Sequence, residues 1–181
     1  MQEYRKERDC LYFSGVAMVE YSISLPFSDL GCKGDEKINE TFTLLFENAK
    51  KSVEKLYEKA KTEYENDGDE KKRLHHRPYR YTLSCDVKDC EGEYFSFILS
   101  STLQLRSKII SEKKSACVMR KSDAKIIPFS IVYGKGAKKT KRKLRKEKGL
   151  SDFSNFYLLG GKIHILLYKD GRWQSVQPSN L

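Results

Sequence analysis

Apolar and polar residues alternate along this chain with two different periods, and the switches between them outline the fold. Ala17, Val19, Tyr21, Ile23 and Leu25 are interleaved with Met18, Glu20, Ser22 and Ser24, the period of two that turns one face of a strand inward. Pro26 closes this run. Residues 11–16 read as the start of the same strand or as its hairpin partner, with Gly15 as a candidate bulge. After a loop over 28–35 the period lengthens. Ile38, Phe42, Leu45, Phe46, Ala49, Val53, Leu56, Tyr57, Ala60 and Tyr64 stand three or four apart, a continuous stripe that predicts one long helix over about 36–66. Lys50, Lys51, Glu54, Lys55, Glu58 and Lys59 fill the opposite face with opposite charges four apart. Asp35 is placed to cap the start, and Gly68 lies just past the end.

A polar connector over 66–77 leads back to period two. Tyr79, Tyr81, Leu83, Cys85 and Val87 face one way, and Arg80, Thr82, Ser84 and Asp86 the other. Beyond a turn at 91–92, alternation from Phe95 to Ile109 predicts one long strand, or two joined by a bulge near Ser100 and Ser101. Residues 115–119 read as another strand, 121–124 as a turn, and 125–132 as an edge strand interrupted by Pro128. A lysine-rich segment over 138–148 ends at Gly149, in the position of a helix C-cap. Gly160-Gly161 and Asp170-Gly171 then separate three short apolar runs, a strong hairpin signal. The sum is a single α+β domain over 1–181. Its long amphipathic helix packs on an antiparallel twisted sheet, with a short basic helix inserted before the C-terminal hairpin.

Charge changes this picture in one place. Lys138, Lys139, Lys141, Arg142, Lys143, Arg145, Lys146 and Lys148 stand against the single Glu147, giving +7 of the formal +10 of the whole chain. Basicity is therefore local. Such a run is either a solvated face or a contact surface for a polyanion, drawn by charge with strong salt dependence. Lysine dominates it, which suits unspecific attraction more than bidentate recognition. Leu144 is its only apolar residue, flanked by Ala137 and Leu150, so it reads as a surface appendage with few core anchors.

The remaining chemistry is sparse. Five cysteines at irregular spacing make a poor disulfide framework and read as reduced thiols, some of them small core residues. Cys85 and Cys90 are five apart with no second pair, so the upstream His75 and His76 do not complete a zinc pattern. His164 alternates with Ile163 and Ile165 and so lies on the other face of its strand. There is no Gly-x-Ser-x-Gly elbow, and Gly134-Lys-Gly136 is too short for a phosphate loop. Tyr79, Tyr81, Phe95 and Phe97 could stack nucleobases, but packing under the long helix explains the same positions. No catalytic residue, metal or cofactor is expected. The partner is an unidentified protein or a polyanion, nucleic acid included but without sequence specificity. No segment approaches the roughly 18 apolar residues that cross a bilayer, and the N-terminus lacks the apolar stretch of an export signal. As written the chain reads as cytoplasmic; an envelope protein trimmed of its leader would look the same.

The element order and several short motifs resemble the extracytoplasmic domain shared by RsiV-type anti-sigma factors and PdaC-type polysaccharide deacetylases. In that family a strand ending in Tyr-x-Ile-x-x-Pro precedes a long helix starting near Ile-Asn, matched here by Tyr21-Ser-Ile-Ser-Leu-Pro26 and Lys37-Ile-Asn39. Arg77-Pro-Tyr79 matches the Pro-Tyr that opens its next strand. Residues 117–129 match its Lys-rich strand-turn-strand, and Phe156-Tyr-Leu158 its final hairpin. The Thr-Gly-Gly-Ala-His-type segment common in the family has no counterpart in residues 100–106. The resemblance implies the fold, a bacterial envelope setting and a non-enzymatic binding or structural role.

Overall fold

The computed structural model of the protein describes residues 3–27, 34–68, 76–90, 92–105, 108–150 and 152–178. Parts of the loop over 28–35 and of the connector over 66–77, with Cys32 and His75, lie outside the described residues. The elements run β1 (Glu3–Phe13), β2 (Val16–Phe27), α1 (Asp35–Asn66), β3 (Tyr79–Asp89), β4 (Tyr94–Leu105), β5 (Lys108–Arg120), α2 (Phe129–Tyr133), α3 (Ala137–Lys148), β6 (Phe156–Leu159), β7 (Lys162–Lys169) and β8 (Arg172–Val176). Five strands form one sheet in the order β1-β2-β3-β4-β5, and β6-β7-β8 form a second. The fold is α+β, with a long helix on a mostly antiparallel sheet.

Packing gathers into two compact units: Met1–Ser28, Asn39–Cys85 and Ser100–Lys113 in the first, and Asp29–Ile38, Asp86–Leu99 and Lys114–Leu181 in the second.

In the first unit, β1 pairs with β2 through a turn at Ser14 and Gly15, both at positive φ. Gly15 is thus a turn residue, and the register shift falls at Leu11 and Tyr12 instead. The charged β1 escapes a burial pattern because it is an edge strand, and edge strands carry charge to discourage further pairing. β2 pairs with β3 in parallel, Val19 opposite Tyr79 and Ile23 opposite Leu83. Parallel neighbours need a crossover, and α1 supplies it. The stripe Phe42, Phe46, Ala49, Val53 and Ala60 is buried, as are Val19, Tyr21, Ile23 and Leu25 of β2 and Tyr79 and Cys85 of β3. Polar contacts fix α1 on this surface. Tyr21 Oη donates to Glu7 at 2.7 Å, and Lys50 Nζ lies 3.2 Å from the same carboxylate. The Tyr21 hydrogen bond and Lys50 hold the Glu7 carboxyl below its ordinary range, while the carboxylate pushes the Tyr21 phenol up to about 12. Tyr79 Oη donates to Glu63 at 2.9 Å.

The expected run from Phe95 to Ile109 falls in two strands, the first continuous through Ser100 and Ser101 and ending at Leu105, the second starting at Lys108. The segment over 125–132 is not a strand. Ile126 makes one isolated bridge with Met119; then Pro128, in extended conformation, opens α2, its carbonyl accepting from the Ile131 N–H at 2.9 Å. Proline has no N–H to give a ladder but suits a helix start.

In the second unit, β6–β8 carry apolar residues on both faces. Phe156, Leu158 and Ile165 join Val118, Phe129, Phe153, Ala137, Leu144 and Leu150 in one cluster. Tyr157 and Leu166 join Ile98 and Ala116 in another. The buried Ser96 Oγ accepts from the Leu158 N–H at 2.7 Å, so the polar atom inside this packing is satisfied. Gly160-Gly161 and Asp170-Gly171 form the two hairpin turns at positive φ.

Candidate functional site

Helix α3 carries all eight cations singled out by the sequence, and it is not a loose appendage. Leu144 is fully buried, Ala137 is 6% exposed and Leu150 7%. Ala137 and Leu144 are seven residues apart, two helical turns, so they fall on one side. Leu150 follows the C-cap: Gly149 takes the left-handed conformation, its N–H donating to the Arg145 carbonyl, and the Leu150 N–H reaches the Leu144 carbonyl at 3.4 Å. The 5→1 bond from a left-handed glycine is the αL type of helix stop. The sequence counts Leu144 as a lone apolar residue, but its spacing from Ala137 and Leu150 makes three anchors.

The aromatic cluster beneath α3 is centred on Phe129. Its ring stacks on Tyr133 at 5.3 Å and meets Phe153 and Phe156 at 5.6 Å each. Lys141 Nζ lies 5.5 Å from both the Phe129 and Phe153 ring centres, and the Arg145 guanidinium 5.6 Å from Phe153. These two cations lay their stems over the core and keep their heads outward. Thr140 Oγ1 donates to Tyr133 Oη at 3.0 Å, tying α3 to α2.

The other cations radiate outward. At about 100° per residue, Lys138, Arg142 and Lys146 share one stripe bordered by Arg145, and Lys139 and Lys143 continue round the helix; of the eight, only Lys141 is not exposed. Lys138, Lys139, Lys141, Arg142, Arg145, Lys146 and Lys148 have no ion pair among the described residues. Arg145, Lys146 and Lys148 sit in the last turn, where the helix dipole favours positive charge. The array is convex, which suits an extended anion laid along it rather than a small ion enclosed by it.

His164 sits in a different setting. Its buried ring stacks on Tyr157 at 5.0 Å, with Nδ1 3.2 Å from Ser175 Oγ and Nε2 3.1 Å from Gln177 Nε2. An amide nitrogen only donates. With the Gln177 amide in this orientation Nε2 accepts, and Nδ1 is left to donate to Ser175. Tyr157 Oη also donates to Ser175, at 3.0 Å. Tyr157, Ser175, His164 and Gln177 thus form one continuous hydrogen-bond chain across β6, β7 and the end of β8. Burial, with Lys162 second, lowers the His164 pKa below 6.5. Stability from the neutral ring is then fully present above that value and is lost as pH falls through the folded-state pKa. Proton NMR of the imidazole is expected to give a midpoint below 6.5. In thermal melts between pH 7.5 and 5.5, His164→Gln should lose less stability than the parent; an equal loss would remove His164 as the cause.

A broad trough of about 810 Å³ runs over the β1–β3 surface and is lined by Arg8, Cys10, Glu20, Ser22, Arg80 and Thr82, among others. Arg80 Nε lies 2.7 Å from Glu20, so its central charges are self-paired. Among the described residues no group of three metal-ligating side chains gathers, and no helix is long and apolar enough to cross a membrane.

No protein-family model matches the sequence, and no curated protein does. Solved structures do. A DUF3298 family member from Bacteroides fragilis NCTC 9343 superposes with a TM-score of 0.63 at 12% identity, covering 98% of this chain and 89% of its own. A DUF3298 family protein from Pseudomonas aeruginosa PAO1 gives 0.55 at 8% identity, covering 98% and 88%. The chain shares the DUF3298 fold. That is the domain found in RsiV and PdaC, so the resemblance read from the sequence motifs holds for the architecture over nearly the whole chain. At such identities the DUF3298 likeness carries backbone and no side-chain chemistry, and the site must be argued from this chain's own residues. Sequence reasoning missed one group in this DUF3298 fold. Tyr168 and Trp173, cross-strand partners on β7 and β8, stand beside the C-terminal end of α3 in the lining of one cleft.

Proposed function

We propose that the chain is a non-catalytic binding domain whose contact surface is the outward face of α3, and that its partner is a polyanion recognised by charge and not by sequence. One observation carries this reading: seven cations without ion pairs stand on a helix anchored in the core by Ala137 and Leu144. A solvated charge run needs no such seat. A rigid one holds its cations in register, which lowers the ordering cost of binding. The non-enzymatic role implied by the sequence resemblance agrees with it.

Anisotropy titrations with two duplex DNAs of unrelated sequence, across a series of salt concentrations, test it. Both duplexes are expected to bind alike, and the variant Lys138→Gln/Arg142→Gln/Arg145→Gln/Lys146→Gln to lower the slope of log K against log salt by about 3 to 4, near one unit per phosphate contact. Lys51→Gln/Lys55→Gln on α1 removes exposed charge without touching α3. The reading fails if the α3 variant leaves the slope unchanged, or if the α1 variant lowers it equally.

A further inference from the structure

The cleft beside the C-terminal end of α3 has an unlike pair of walls. Lys148, Gly149 and Leu150 line one side, and Leu166, Tyr168 and Lys169 of β7 with Trp173 of β8 the other, around about 670 Å³. That volume is in the range of small-molecule sites, about 300–1,000 Å³. Leu150 and Leu166, both largely buried, add apolar area to the lining. Tyr168 is 61% exposed and meets Trp173 edge to face at 5.4 Å, leaving an aromatic surface in solvent where a hairpin tip has no packing need for one.

The charges at the rim are not equivalent. Asp152 is engaged by its own turn: one carboxylate oxygen accepts from the Ser154 N–H at 2.8 Å and from Ser154 Oγ at 2.7 Å. Lys148 and Lys169 have no ion pair among the described residues, and neither has Glu147, the one acid left at the mouth. Two unengaged ammonium groups and one unengaged carboxylate thus share the lining of this cleft with an aromatic pair and aliphatic side chains. We infer that this cleft binds a carboxylate carried on an aromatic body, the ring lying against Tyr168 and Trp173 and the carboxylate meeting Lys148 and Lys169. A free aromatic acid and the terminal carboxylate of a peptide ending in an aromatic residue share this chemistry. The inference does not rest on the polyanion reading, because Lys169, Tyr168 and Trp173 lie outside the basic run.

Trp173 is the only tryptophan of the chain, so its fluorescence reports on the cleft directly. Phenylacetate is expected to change that signal saturably, and phenylacetamide, alike in shape but uncharged, to bind about tenfold more weakly. Lys169→Gln and Lys148→Gln should each weaken phenylacetate about threefold, and Glu147→Gln should tighten it by a similar factor, as exposed charge pairs do. A peptide ending in phenylalanine, compared with its C-terminal amide, separates the two sources: tighter binding than phenylacetate assigns the cleft to a chain terminus, weaker binding to a free acid. Circular dichroism of each variant keeps folding out of the comparison. No saturable signal up to the solubility limit, equal binding of acid and amide, or affinities indifferent to all three rim substitutions would each overturn the inference. The salt slope for DNA is expected to be unchanged in Lys169→Gln, which keeps the failure of one reading distinct from the failure of the other.

Discussion

Replacing Phe129 with alanine is expected to destabilise the protein by about 3–5 kcal/mol, far out of proportion to its place in a five-residue helix. The ring is 1% exposed and touches Tyr133, Phe153 and Phe156, with the Lys141 ammonium above it. Truncation leaves a cavity between α2, α3 and β6, and stacked rings on several sides cannot all collapse into it. Urea unfolding of Phe129→Ala should show a lower midpoint at an unchanged slope. Ile131, two residues on and 62% exposed, is the control; Ile131→Ala should stay within about 0.5 kcal/mol of the parent. Alanine is the better helix former, so a loss at Ile131 matching that at Phe129 would mean that the outer face of α2 is covered and that the aromatic seat is not what sets its contribution. The DNA titration gains from the same comparison, since a loosened seat under α3 should weaken binding without removing any charge.

Phe129 and Ile131 also show where the sequence was legible and where it was not. Ile127, Phe129 and Ile131 alternate as a strand would, yet only the first two are buried. A helix of five residues is shorter than two turns, so no apolar period can form in it, and the isolated proline was the only local signal. α1 is the opposite case: thirty-two residues give the stripe from Ile38 to Tyr64 room to repeat, and the helix begins at Asp35, one residue before the expected start. β1 was hidden for a third reason. Its partner on one side is β2 and on the other solvent, so neither face is forced to be apolar, and the charged start of the chain gave no period to read. The parallel pairing of β2 and β3 could have been read, because a single long helix between two strands returns the chain to the end where it began.

The candidate surface was half legible in the same sense. Its eight cations are a composition signal and need no structure. Their footing is tertiary: Phe129, Phe153 and Phe156 reach α3 from α2, from the loop before β6 and from β6, and no local window contains all of them with Leu144. Local patterning therefore overestimates the freedom of a short charged helix whenever its anchors are few but spaced at two turns. The Tyr168–Trp173 pair is hidden for a related reason, because cross-strand partners become neighbours only once the register of the hairpin is known.

Gly34→Ala should be nearly as damaging as Phe129→Ala, for a steric reason that composition cannot reveal. A methyl group at Gly34 would collide with the backbone carbonyl of Lys121, a contact far below van der Waals distance. Neither side can yield cheaply. The Gly34 carbonyl accepts the Ile38 N–H at 2.9 Å at the start of α1. Opposite it, the turn is closed by Arg120 N–H to Lys125 O at 2.9 Å and Ala124 N–H to Arg120 O at 2.8 Å, and Lys121 N–H is held by Glu93 O at 2.9 Å. Relief requires breaking backbone hydrogen bonds on one side or the other, so the cost is expected near about 3 kcal/mol, the upper part of the range for overpacking. Gly68→Ala is the matched control. A methyl there meets nothing within 4 Å, and loss of unfolded-chain freedom should make it neutral or stabilising by up to about 1 kcal/mol. Urea midpoints of the two variants should therefore move in opposite directions or differ by the full steric cost. If Gly34→Ala unfolds within about 0.5 kcal/mol of the parent, the approach of the α1 start to the Lys121 turn is not a constraint on this fold.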